Sequence, residues 1–199
     1  MQTYFTIDAM LEMISEPNRT ACRRLLEHLR AHHAGAPGST HNHQAWPGGY
    51  LDHIRECMNL VIQFYHLLSA LRRQPYALSD ALLVSFLHDI EKPWAIVRHA
   101  DGTYERTSDL QPKPAQHAFR IEQIRAFGII LTAEQEDALR YVEGEIGVYS
   151  EHQRHMSPLA ACCHCADVAS ARIWPDHPFA VDDPWVGAAR SGGGSDERR

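Results

Sequence analysis

The chain has 199 residues, 44% of them hydrophobic, and a formal net charge of −6. That length supports one globular domain with a sizeable core, and the negative balance argues against a long nucleic-acid partner while leaving room for a local Lys/Arg cluster around a small anionic ligand. No apolar stretch approaches about 18 residues, and the first 14 residues lack the basic start and apolar middle of a signal peptide, so neither a membrane span nor secretion is expected. Five cysteines, three of them at positions 162, 163 and 165, fit a reducing compartment better than a disulfide framework, which points to the cytoplasm.

In chain order, Thr6 is placed to cap a helix running to about residue 15, and Pro17 punctuates before a second helix over about 18–34 that Gly35 stops. Residues 35–49 are rich in glycine, proline and polar side chains and read as a loop, with His41 and His43 expected in solvent and the loop itself placed to rim a site. Leu51, Ile54, Met58, Val61, Tyr65 and Leu68 recur at intervals of three and four, which predicts one long helix over 50–71. His53 falls beside that stripe in the first turn, where taken alone it is an ordinary helix histidine. Ser79 is expected to cap the next helix and Pro93 to end it, after the apolar run 81–87 and the pair His88-Asp89.

Asp101-Gly102, flanked by β-favouring residues over 96–107, predicts a small hairpin and the only sheet. Pro114 and Gly128 bracket a helix containing His117, Phe119, Ile121 and Ile124. Thr132 and Gln135 form a capping-box pattern for a helix through Val142, fading at Glu143-Gly144-Glu145. Ser157 and Pro158 open a last helix to about residue 173 that carries Asp167 among small and apolar residues, where a carboxylate is costly unless it is paired, protonated or bound to a metal. Cys162 and Cys165 have C-x-x-C spacing but no second pair, and on a buried helix are expected simply to pack. Residues 187–199 have the composition of a disordered tail, leaving one domain over 1–186.

His53, His88, Asp89 and Asp167 are four metal-capable donors on three predicted helices. Mixed imidazole and carboxylate donors suit a divalent transition metal with positions left for water or substrate. Here the sequence resembles the HD-domain superfamily of metal-dependent phosphohydrolases: Pro47-Gly48-Gly49-Tyr50-Leu51-Asp52-His53 is similar to that family's first motif, Leu87-His88-Asp89-Ile90-Glu91-Lys92 to its second, and Ala166-Asp167 to its late aspartate. Glu91 stands where the family has glycine, adding a negative charge beside the site.

The resemblance implies an all-helical HD-type bundle with the small hairpin, a metal held by His53, His88, Asp89 and Asp167, and hydrolysis of a nucleotide or related small phosphorylated substrate. Asp89 and Lys92 would be the catalytic pair, and Lys92, Arg120 and Arg172 would bind substrate phosphate. His117 matches the first histidine of the longer two-metal pattern, and Glu143, with Glu145 as fallback, stands where that pattern has its second, so one or two ions (Mn, Fe, Co, Ni, Zn or Mg) are expected per chain. An HD-type di-iron oxygenase and a non-catalytic nucleotide-sensing module are the alternatives. The oligomeric state, homo-oligomer included, is left open by the sequence.

Overall fold

The computed structural model describes residues 3–191. The protein is mostly helical, with one two-stranded antiparallel sheet, and its architecture centres on a 23-residue helix. Helices α1 (Ile7–Leu11) and α2 (Asn18–His32) lead through a loop to that central helix, α3 (Gly49–Leu71), followed by α4 (Leu78–Leu87) and the single turn α5 (Lys92–Ala95). Strands β1 (Ile96–Arg98) and β2 (Tyr104–Arg106) precede α6 (Lys113–Ala126), α7 (Ala133–Tyr141) and α8 (Pro158–Val168), which continues as a π-helical turn over Ala169–Ile173. Among the described residues no helix is long and apolar enough to cross a membrane.

The apolar stripe of α3 lies against α4 and α8, and α7 packs on α8. Met58, Val61, Leu82, Leu87, Leu139 and Leu159 meet in one core, where a fully buried aliphatic side chain stabilises by about 1.5–3 kcal/mol. Residues 81–87 of α4 are buried all round. A helix with no solvent face is held against neighbours on every side, which fixes the direction in which its C-terminal residues leave.

Several local signals act as their chemistry dictates. The Thr132 hydroxyl accepts from Gln135 N, and the Gln135 side chain accepts from Thr132 N. Ser157 caps α8 by accepting from Ala160 N, and Asp101-Gly102 turns the hairpin with Gly102 at φ +88°, pairing Ile96 with Arg106.

Other elements end differently from expectation. Helix α1 stops at Leu11, four residues before the expected end. The cap of α4 is not Ser79: the helix starts at Leu78, Asp80 reaches back to Ala77 N, and the Ser79 hydroxyl accepts from Ser15 N instead. Nor does α4 run to Pro93. It stops at Leu87, and the chain turns tightly, with Ile90 N donating to Leu87 O and Lys92 N to Asp89 O. Pro93 then sits in the first turn of α5, where its missing N–H costs nothing.

The boundary at residue 186 also moves. Gly187 O and Ala189 O accept from the Arg55 guanidinium, the Arg190 guanidinium lies 3.8 Å over the Trp46 ring, and Ser191 N donates to Asp52. Residues 187–191 are therefore part of the folded body, and the rest of the expected tail, 192–199, lies outside the described residues.

Candidate metal centre

His53, Asp89, His88 and Asp167 converge although they come from three separate parts of the chain. His53 sits in the first turn of α3, whose entry depends on two glycines. Gly48 adopts φ +86°, and a Cβ at Gly49 would lie 1.8 Å from Gln44 O, so the loop can cross the helix start only with glycine there. His88 and Asp89 occupy the turn that leaves α4, and Asp167 lies in the last turn of α8.

The donor atoms cluster tightly. His53 Nε2 is 3.3 Å from His88 Nε2, 3.3 Å from Asp89 Oδ2 and 3.2 Å from Asp167 Oδ1. His88 Nε2 is 3.2 Å from Asp89 Oδ2 and 3.7 Å from Asp167 Oδ1. Donors each about 2.1 Å from one ion stand roughly 3.0–3.4 Å apart, and most of these spacings are of that size, so the cluster could hold a metal ion.

The far sides of both rings are fixed. His88 Nδ1 donates to Ser85 O at 2.8 Å, and His53 Nδ1 lies 3.1 Å from the Ser170 hydroxyl, which in turn accepts from Gln44 Nε2. Outer bonds of this kind hold the Nε2 lone pairs toward the cluster.

Electrostatics agree with that geometry. Burial works against charge on His88, but the carboxylates of Asp89 and Asp167 outweigh it and push the imidazole up to about 10. Burial would raise Asp89, yet Lys92 and His88 hold its carboxyl well below the usual carboxylate range. Asp167 is likewise held low by His53 and His88 against its own burial. Lys92 Nζ reaches Asp89 Oδ2 at 2.5 Å. The two carboxylates thus make surroundings that favour a cation.

Two residues join the site without having been read from the sequence. Cys57, one turn beyond His53, places Sγ 3.7 Å from His53 Nε2, and one donor atom from each of His53, Cys57, His88 and Asp167 lies within 4.8 Å of every other. Burial, reinforced by Asp167 and Asp89, lifts its thiol well above the ordinary value. The i, i+4 spacing was the available signal, but a cysteine in an apolar stripe looks like core. His43 stacks on His53 with ring centres 4.6 Å apart, and burial, with His53 and Lys92 nearby, pushes its imidazole down to about 3. It is half-buried and neutral at pH 7, not a solvated loop residue as expected, whereas His41 is exposed.

Asp89 and Asp167 form one end of a cavity of about 410 Å³ whose wall also carries Lys92, Arg106, Lys113 and Arg172. A larger groove, about 850 Å³ and walled by Leu60, Phe64, Trp174 and Trp185, contains none of the metal donors.

His117 and Glu143, expected to hold a second ion, line one neighbouring cavity of about 320 Å³, where Glu143 is engaged by cations of the chain, Oε1 by Arg120 at 3.0 Å and Oε2 by Lys113. Glu145 is no substitute, because its carboxylate accepts from the backbone N–H groups of His155 and Met156.

Arg120 does not line the cavity beside Asp89 and Asp167 but the neighbouring one that holds His117. It is 2% exposed and spends its donors on Glu91, Glu143 and Leu139 O. Glu91 lines the cavity of Asp89 and Asp167 and is ion-paired to Arg120 at 3.2 Å. The cysteines of α8 pack without bridging, Cys162 and Cys163 buried and Cys165 exposed. No family model, no curated protein and no solved structure matches the chain.

Proposed function

We propose that this chain is a metal-dependent phosphohydrolase of HD type acting on a nucleotide or related small phosphorylated substrate in the cytoplasm. The observation that carries the reading is the convergence of His53, His88, Asp89 and Asp167 at one end of a cavity whose wall holds four cationic side chains. A divalent metal held there would supply hydroxide at neutral pH by lowering the pKa of its bound water.

The protein's own groups divide the remaining work. His53 and His88 present Nε2 in a fixed direction, Asp89 and Asp167 supply the anionic donors, and Lys92, beside Asp89, stands where it can neutralise a phosphate oxygen as charge builds during attack. Arg172, exposed on the cavity wall, steers the anion in. Five unbridged cysteines support a reducing compartment. The HD-type di-iron oxygenase would need a second ion, and oxygen consumption with ferrous iron distinguishes it from hydrolysis.

The test is elemental analysis of the purified chain together with phosphate release from a panel of nucleotides under Mn, Fe, Co, Ni, Zn and Mg. Metal-dependent release that disappears in His88→Ala supports the reading. No release under any of these metals, or release undiminished in His88→Ala, overturns it.

A further inference from the structure

Two residues that line the cavity, Arg106 and Gln116, each carry a buried polar atom with no hydrogen-bond partner. Arg106 Nη1, at the end of β2, donates no hydrogen bond, and the nearest carboxylate oxygen, Glu91 Oε1, stands 4.0 Å away. Arg120 holds the other oxygen of that carboxylate, Oε2, through both Nε and Nη2 at 3.2 Å, so Arg106 Nη1 has only an ion-pair contact to Oε1 at a distance too long for a hydrogen bond. On the first turn of α6, Gln116 is 3% exposed and its Oε1 accepts nothing.

The Gln116 amide cannot turn round to escape. Its Nε2 donates to Gln111 O at 2.9 Å, and a flipped amide would set oxygen against oxygen. The acceptor is therefore fixed.

Buried donors and acceptors are almost always satisfied in folded proteins, and those left over concentrate where a ligand completes them. The two orphans have complementary demands. A guanidinium N–H takes an anionic oxygen, and an amide oxygen takes an O–H or N–H donor. The four cations that line the cavity, Lys92, Arg106, Lys113 and Arg172, are balanced by Asp89, Glu91, Glu143 and Asp167, so a divalent metal on Asp89 and Asp167 would tilt the whole wall positive.

We propose that Arg106 and Gln116 form a substrate-recognition pair that selects a phosphate carried on a hydroxylated body, Arg106 holding an anionic oxygen and Gln116 Oε1 receiving a hydroxyl of the sugar. This rests on the reading of the cavity as a phosphoester site. It makes the cavity discriminate a sugar phosphate from an alkyl phosphate of the same charge. Neither residue touches the metal donors, so both act on recognition.

The experiment is titration calorimetry of the full, metal-loaded chain with ribose 5-phosphate and with butyl phosphate, phosphate release being assayed in the same samples. Wild type should bind ribose 5-phosphate at least about tenfold more tightly than butyl phosphate. Gln116→Met, of similar shape but without the acceptor, should erase that preference while leaving butyl phosphate binding unchanged. Arg106→Ala should weaken both probes about tenfold, with Arg106→Lys between it and wild type. Thermal melts of each variant show that it is folded.

Equal affinity for the two probes, no binding of either, a preference that survives Gln116→Met, or unaltered binding in Arg106→Ala overturns the pair. A preference for ribose 5-phosphate without any phosphate release sinks the hydrolase reading and leaves the recognition pair standing. Release from esters with no such preference does the reverse.

Discussion

Two clusters of buried charge lie side by side in this protein, and they are built on opposite terms. His53, His88, Asp89 and Asp167 turn their acceptor atoms toward one another, and Lys92 is the cation in contact with Asp89. Glu91 and Glu143, by contrast, close on Arg120 from two sides, Arg120 gives another N–H to Leu139 O, and Lys113 takes the remaining oxygen of Glu143. The second cluster is complete within the chain. The first gathers two imidazoles and two carboxylates around one point and could hold a metal ion. Counting charged residues would not separate the two, whereas asking which hydrogen-bonding groups remain unbalanced does.

The largest expected effect breaks the acceptor-rich cluster. His88→Ala and Asp89→Ala should each weaken metal binding by more than about 100-fold, beyond what loss of an outer partner costs, while circular dichroism shows the helical content retained. Stoichiometric metal in either purified variant would show that the cluster is not the binding site. Breaking the saturated cluster should act on stability instead. Arg120→Met leaves Glu91 and Glu143 buried without their shared cation and should cost about 3–5 kcal/mol in denaturant unfolding, with metal content per folded molecule as in wild type. If Arg120→Met loses metal at unchanged stability, the two clusters are one unit.

A smaller effect sharpens the boundary between them. Ser170→Ala removes the hydroxyl beside His53 Nδ1 and should lower metal affinity roughly tenfold while changing stability by about 1 kcal/mol or less, read by metal titration and by melting. The smallest concerns Lys92, whose ammonium competes with a metal for Asp89. Lys92→Met should bind metal slightly more tightly than wild type and release phosphate more slowly. Weaker metal binding with normal turnover at saturating metal would make Lys92 a structural residue.

The elements that the sequence makes legible are those set by neighbours along the chain. The stripe of α3, the capping box at Thr132, the Asp101-Gly102 turn and the donors His53, His88, Asp89 and Asp167 all rest on short spacings and recognisable motifs. What stays hidden depends on contacts across long separations. His43 turns inward because Gln44 is anchored by Pro175, Trp174 and His177, more than 120 positions away. Nothing in the sequence shows that Arg120, Glu91 and Glu143 pair with one another, which the fold alone brings about. Cys57 is concealed differently: along the chain it falls in an apolar stripe, and only the third dimension puts His88 and Asp167 beside it.

Asp52, the residue before His53, is fully buried, with its two oxygens taken by Trp46 Nε1 and by the backbone N–H of Ser191. During synthesis Trp46 emerges before Asp52, and Ser191 only 139 residues after Asp52. Until then one oxygen of the carboxylate next to His53 lacks its backbone partner and is left to water, so the start of α3 reaches its finished setting only when the far end of the described chain has folded onto it.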